Sequence, residues 1–282
     1  MDHMEIVQAA EAHDGVAPLS EQFLRGLTDE SLGHKRYEVE GGFAAVAPDG
    51  AVELVVHPGH RRKGRGRELI SLVDDPLNPI HHTFWAHGNL PAAQQTAAAL
   101  GMQPTRELLV MSATADELDA AGALDAQLPE GFEALNLVQA AARYGEDAVL
   151  DSWLEVNNDA FSWHPEQGGW DRARLDRGMD TEWFDAEGVW FLYKGDDLAG
   201  FHWTKRHPDE TGEVYVVGLA SACRGEGLGV PLLQMGLKHL VERGSSQVIL
   251  YVEADNAPAV KRYRETGFTV AESHVVYEFP MI

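Results

Sequence analysis

One arrangement occurs twice in this chain and constrains its fold more than any other feature. It is an apolar, β-branched strand, a short turn, a glycine-containing loop and a helical pattern. The first copy runs Val52-Glu53-Leu54-Val55-Val56, then His60-Arg61-Arg62-Lys63-Gly64-Arg65-Gly66. The second runs Val214-Tyr215-Val216-Val217-Gly218-Leu219, then Cys223-Arg224-Gly225-Glu226-Gly227-Leu228-Gly229. Setting Gly64 on Gly227, 163 residues on, also sets Val56 on Leu219 and Gly66 on Gly229. Further along, Asn89 falls near Asn256, and Gly101-Met102 near Gly267-Phe268. Matches in the same order are the mark of a diverged repeat, so the chain reads as two domains of one fold. Its 282 residues suffice for two.

Composition narrows the class. Hydrophobic residues are 44% of the chain, which suits packed cores rather than disorder. No stretch approaches the roughly 18 uninterrupted apolar residues of a membrane span. The start of the chain has neither a basic segment nor an apolar one, so no signal peptide is read. With Cys223 as the single cysteine no intrachain disulfide can form, and a reducing cytoplasm is expected. The formal net charge is −23. Such a field repels nucleic acid and anionic membranes, so both are set aside as partners. A monomer acting on a small-molecule substrate is the expectation. Any anionic ligand has to be met by a locally positive patch or by backbone N–H groups.

Ser112 to Pro129, rich in Ala, Asp and Glu, reads as a partly helical linker, with the second domain opening near Gly131. This divides the chain into 1–125, linker included, and 126–282. In the second half Phe132 to Leu137 reads as a strand and Glu146 to Asn158 as an amphipathic helix with Val149, Trp153 and Val156 on one side. Val189–Tyr193 and Leu198–Trp203 read as a hairpin across Gly195-Asp196-Asp197. Strand Glu213–Leu219, helix Val230–Glu242, strand Val248–Val252, helix Ala257–Thr266 and strand His274–Phe279 follow. The order is α/β (α+β) with many antiparallel hairpins.

The loop Arg224 to Gly229 follows a strand and opens a helix. Glycines let backbone approach a ligand closely, and the helix start offers unpaired N–H groups and the positive end of its dipole. This is chemistry for a diphosphate that needs no excess of lysine. The first-half loop, Arg61 to Gly66, adds four cationic side chains. One glycine loop is usually an ordinary tight turn; two in matching contexts argue for a ligand.

The pattern Arg224-x-x-Gly227-x-Gly229 after a strand resembles the signature of the GNAT acetyltransferase superfamily. Asn256-x-x-Ala259-x-x-x-Tyr263-x-x-x-Gly267-Phe268 is similar to its C-terminal companion. Two such halves, with Asn157 to Trp170, Gly200 to Lys205 and Leu250 to Asn256, resemble the mycothiol synthase family of actinobacteria. The resemblance implies two tandem GNAT domains, each a mixed, mostly antiparallel sheet flanked by helices. It also implies acetyl transfer from acetyl-CoA, with no metal, to the cysteinyl amine of a cysteinyl-glucosaminyl-inositol. Another amine, on a protein N-terminus or an aminoglycoside-like molecule, and a non-catalytic acyl-CoA sensor are the alternatives. The chain departs from many relatives in having Arg224-Gly225-Glu226 where Gln-Arg-Arg is common, which puts an acid beside the expected phosphates.

The resemblance also assigns residues. Acetyl-CoA is expected at Val217, Gly218 and Leu219, at Arg224, Gly225, Glu226, Gly227, Leu228, Gly229 and Val230, and at Asn256, Ala257, Pro258, Ala259, Val260 and Lys261. A second, non-catalytic binding place is expected at Leu54, Val55 and Val56 with Arg62, Lys63, Gly64, Arg65, Gly66 and Arg67. An α-amino nucleophile has a pKa of about 8 and must lose a proton. Glu213 matches the family's base; the residues alone leave it equally a solvated strand-end acid. Tyr263 matches the acid for the leaving thiolate, the alternative being a packing aromatic. A backbone N–H between Val217 and Leu219 is expected to hold the oxyanion. Glu21, Glu166, Lys205 and Tyr251, with Glu213, match acceptor contacts. In the first half Gly50 stands where Glu213 would be, and Thr96-Ala97 where Tyr263 would be. That half is expected to be degenerate.

Overall fold

The computed structural model describes residues 1–74, 81–162 and 167–280. In chain order its strands are β1 (Lys35–Val39), β2 (Gly42–Val46), β3 (Ala51–Val56), β4 (Thr83–Ala86), β5 (Gln103–Thr114), β6 (Phe132–Asn136), β7 (Val189–Lys194), β8 (Asp197–Arg206), β9 (Thr211–Leu219), β10 (Gln247–Glu253) and β11 (Thr269–Glu278). The chain forms two compact units. The first holds Met1–Leu109, Glu253–Asp255 and Glu272–Ile282, and the second Val110–Val252 and Asn256–Ala271.

In the first unit the strand order is β1-β2-β3-β4-β11. Only β3 and β4 run parallel, with Ala51 to Glu53 beside Thr83 to Trp85. The final strand of the chain joins this sheet between β4 and β5, Val275 to Tyr277 pairing antiparallel with Phe84 to Ala86. Side chains alternate across a strand, so β2 feeds two cores. Phe43 and Ala45 pack with Ile6, Val7 and Ala10 of helix His3–Asp14. Ala44 and Val46 pack with Leu69, Ile70 and Val73 of helix Arg65–Val73. Both faces are covered, which is why this strand is continuously apolar.

The second unit repeats the plan with the order β10-β9-β8-β7-β6. Again one pair is parallel, β9 with β10. On one face helix Glu146–Ala160 places Val149, Leu150, Trp153 and Val156 against Phe191, Phe201 and Trp203. On the other, helix Gly229–Glu242 places Leu232 and Met235 against Leu192 and Ala199. Two tandem α/β domains with mostly antiparallel sheets are therefore present, as expected. The segment read as a linker is more ordered than its composition suggests. Thr114 and Glu117 form a capping box that starts helix Ala115–Ala120.

A histidine is sealed into the second core. His202 is fully buried, and its Nδ1–H donates to the Leu232 carbonyl at 3.1 Å. Gly236 makes the room: a Cβ there would lie 2.2 Å from the ring. Burial pulls the imidazole pKa down to about 4, and burial likewise pulls His274 of the first unit down to about 4. An unfolded histidine titrates at about 6.5. Between those values the unfolded chain binds more protons, so stability is complete above about 6.5 and is lost as pH falls toward 4. Each buried ring then costs up to about 1.4 kcal/mol per pH unit across that window. Urea unfolding at pH 7 and pH 5 is expected to show a lower midpoint at pH 5, and His202→Leu to show a smaller drop. An undiminished drop in the variant would trace the loss to other groups.

Candidate active site

The parallel pairing of β9 with β10 stops early. Gln247 to Leu250 pair with Thr211 to Val214, while β9 continues to Leu219 and β10 to Glu253. A β-bulge lies at the point of parting. Opposite β8, Trp203 pairs with Val216 and Thr204 with Val214, leaving Tyr215 as the extra residue. Just past the strand, the Ala220 N–H donates to the Ala199 carbonyl at 2.9 Å. Backbone groups alternate in direction along a strand. Gly218 therefore faces β8, while Val217 and Leu219 turn their N–H and C=O toward the side that β10 has left. Gly218 lets helix Glu146–Ala160 approach, since a Cβ there would come within 3.1 Å of Ala160 and Phe161.

Below this slot lies the glycine loop. Gly225 and Gly227 adopt the left-handed conformation at φ 86° and 79°, and helix Gly229–Glu242 opens immediately after. Arg224 is spent on structure, donating to the Ala160 carbonyl at 3.0 Å. The Asp159 carboxylate accepts from the Ser221 N–H at 2.5 Å, which holds its pKa below the usual range. Glu226, the unexpected acid, is ion-paired with Lys194 at 3.1 Å. Arg262 reaches the same place from the neighbouring helix, where a Cβ on Gly229 would lie 2.2 Å from its guanidinium. The loop therefore combines a helix start, its acid neutralised, with a cation from elsewhere in the unit.

Glu213 stands on β9, one residue before the parting, and is 6% exposed. Its Oε2 lies 2.6 Å from Nε2 of His207. Lys205 is its register partner on β8, and the Lys205 ammonium lies over the rings of Trp183 at 5.1 Å and Tyr215 at 5.8 Å. Tyr251 follows the last paired residue of β10 and is half exposed. Tyr263 is half-buried on helix Ala257–Glu265. Burial pushes its phenol above the ordinary value, and Arg262 opposes this. Asn256 caps that helix, its side chain accepting from the Ala259 N–H at 3.3 Å.

Lys205 and Glu213 thus come together across adjacent strands. Glu21 is exposed at the start of helix Glu21–Gly26 in the first unit. Glu166 lies outside the described residues. Sequence reasoning missed His207, Trp183, Tyr215 and Arg262. His207 and Glu213 flank the β8–β9 turn six residues apart, so the hairpin was the signal for that pair. Nothing local marks Arg262.

The first unit repeats the backbone with different side chains. Arg62 and Gly64 are left-handed at φ 63° and 80°, matching Gly225 and Gly227. The turn before them repeats as well. His60 N–H donates to His57 and Arg61 N–H to Pro58, as Cys223 donates to Ala220 and Arg224 to Ser221. The cations are largely engaged: Arg61 binds Asp14 through its two terminal guanidinium nitrogens, and Arg65 binds Glu40 and Glu68. Arg61 Nε also donates to the Val56 carbonyl at 2.9 Å. Gly50 sits in the turn before β3 at φ 93°, and Ala97 is buried. The buried acid of this unit is Glu53, which accepts from the Ser20 N–H at 2.7 Å and lies 3.0 Å from His87.

Among the described residues no group of three or more His, Cys, Asp or Glu is placed to hold a metal ion. No helix among them is long and apolar enough to cross a membrane. Comparison with known proteins agrees with this anatomy. The Acetyltransferase (GNAT) family matches residues 137–268. The chain's fold resembles a GCN5-related N-acetyltransferase from Sphaerobacter thermophilus at 22% identity and a TM-score of 0.68, covering 99% of this chain and 92% of that one. It also resembles a tandem GNAT protein from the clavulanic acid biosynthesis pathway, at 18% identity and a TM-score of 0.66, covering 98% and 95%. In sequence it is 51% identical to the mycothiol acetyltransferase of Corynebacterium efficiens over 98% of this chain and 91% of that protein. The chain belongs to the mycothiol acetyltransferase family of tandem GNAT proteins.

Proposed function

We propose that the protein transfers acetyl from acetyl-CoA to the cysteinyl amine of 1D-myo-inositol 2-(L-cysteinylamino)-2-deoxy-α-D-glucopyranoside, giving mycothiol and CoA. The near full-length identity to a mycothiol acetyltransferase supports the substrate. The observation that carries the chemistry is the edge of β9 past its pairing with β10, with a buried carboxylate just before it and backbone N–H groups turned toward the side β10 has left.

In this reading the CoA diphosphate lies on the Gly225–Val230 loop and helix start, with Arg262 at its edge. Pantetheine lies along Val217 and Leu219, whose N–H groups also receive the oxyanion of the tetrahedral intermediate. Helix Ala257–Glu265 borders the cofactor through its first turn and delivers Tyr263. Glu213 accepts the proton of the acceptor ammonium, after which the free amine attacks the thioester carbon. The C–S bond then breaks, and Tyr263 supplies a proton to the thiolate. A phenol, of ordinary pKa about 10, is protonated at neutral pH and so has a proton to give. Lys205 and Tyr251 contact the acceptor, as do Glu21 and Glu166 by resemblance. The first unit is read as a non-catalytic holder of acetyl-CoA at Leu54–Val56 and Arg62–Arg67. It has no acid or base at the matching positions, and its Val56 carbonyl is already taken by Arg61.

Purified protein given acetyl-CoA and the cysteinyl-glucosaminyl-inositol is expected to form the acetylated product by mass spectrometry; no product at high enzyme concentration would reject the substrate. Tyr263→Phe is expected to lower kcat by about a hundred-fold, within the range for a positioned acid, with little change in KM for acetyl-CoA. Steady-state rates equal to the native enzyme's would remove that role. Gly227→Ala forces a side chain into the left-handed region at about 1–2 kcal/mol. Calorimetric titration is expected to show acetyl-CoA binding roughly ten-fold weaker, and unchanged affinity would place the diphosphate elsewhere.

A further inference from the structure

We propose that His207 carries to solvent the proton that each turnover leaves on Glu213. This rests on the acetyl-transfer reading given above. The acceptor amine, with a pKa of about 8, arrives mostly as an ammonium. Ammonium and thioester give amide, thiol and one proton. A C–N bond forms and the C–S bond breaks. The nitrogen's second proton, lost as the tetrahedral intermediate collapses, goes to the Tyr263 phenolate that remains once the phenol has protonated the sulfur. The first is on Glu213 and must leave before the next cycle.

Glu213 is badly placed to release it unaided. Its side chain is 8% exposed, and in the reading above it opens on the slot that substrate and cofactor fill. The partner on its other side is His207, 2.6 Å away and 29% exposed, which therefore touches both the carboxylate and water. The turn that presents His207 is tightly tied. His207 N–H donates to the Thr211 carbonyl at 2.8 Å, Glu210 N–H donates to the His207 carbonyl at 3.1 Å, and the Asp209 carboxylate accepts from the Thr211 N–H at 3.1 Å. Glu210 closes the turn at φ 67°. The charged groups nearby are Asp209 and Glu210 in the same turn and Lys205 and Arg206 on β8, while β10 presents the apolar Ile249 opposite Glu213. In the step itself the carboxyl O–H bond breaks and Nε2 of the imidazole takes the proton. The imidazolium then loses a proton to water, and exchange with water restores the ring's starting tautomer. Histidine is suited to this because its ordinary pKa lies near neutrality.

His207 does not touch substrate, so it acts through Glu213. His207→Ala is expected to lower kcat by about ten-fold or more, short of the loss of a direct base, with KM for acetyl-CoA unchanged. Imidazole added to the assay is expected to restore much of the rate. His207→Gln keeps a hydrogen-bond donor but cannot carry a proton, and is expected to stay slow. A native rate in His207→Gln, or a His207→Ala defect that imidazole leaves untouched, would overturn the proposal. Circular dichroism and acetyl-CoA binding confirm that each variant is folded. Glu213→Gln is expected to be slower still and indifferent to imidazole. A native rate there would instead bring down the assignment of Glu213 as base.

Discussion

The site depends on two parallel strands that stop pairing while both continue. Past Val214 and Leu250 the backbone of β9 keeps its bonds to β8 and has none toward β10. An unpaired strand edge inside a domain is costly unless something hydrogen-bonds to it. In the function proposed above, that something is a ligand with amides of its own. The bulge at Tyr215 adds twist where the strands part, so the parting belongs to the sheet and does not rely on a mobile loop. Glu213 lies on the paired side of the junction, and Val217 and Leu219 on the open side. The proposed proton acceptor and oxyanion donors are thus a few residues apart on one strand.

A chain with a net charge of −23 is an unpromising host for a polyanion. The structure resolves this locally. The proposed phosphate loop offers backbone N–H groups, which carry partial positive charge whatever the surface does. Its one acid, Glu226, is held by Lys194, and Arg262 arrives from another helix to stand beside Gly229. The overall charge bears on solubility and on how ligands approach.

The two units show how far backbone and side chains can diverge. Their phosphate loops share left-handed positions and the hydrogen bonds of the preceding turn, although Arg62 stands where Gly225 does. The same backbone holds different contents. In the second unit the edge of β9 is open; in the first, Arg61 covers the Val56 carbonyl and its guanidinium is fixed by Asp14. Glu53 lies buried against His87, away from the position that Glu213 holds in its own unit.

The repeat, the two glycine loops and most second-half elements were legible in the sequence, helices Leu137–Tyr144 and Arg172–Met179 excepted. Each depends on short-range chemistry: apolar runs in β8 and β9, glycines at left-handed positions, the Asn256 cap. Glu213 and Tyr263 could be named by their place in a motif. What pairs with them could not, because His207 meets Glu213 only when the β8–β9 turn closes, and Arg262 meets Gly229 only when two helices pack. The tertiary structure alone decided that the last strand joins the first unit's sheet, its Val275 to Tyr277 being bonded to β4. Local pattern specifies a strand but not its neighbour, since any edge with free N–H and C=O groups can accept one. Pairing is settled by which faces must be buried together, a property of the assembled sheet.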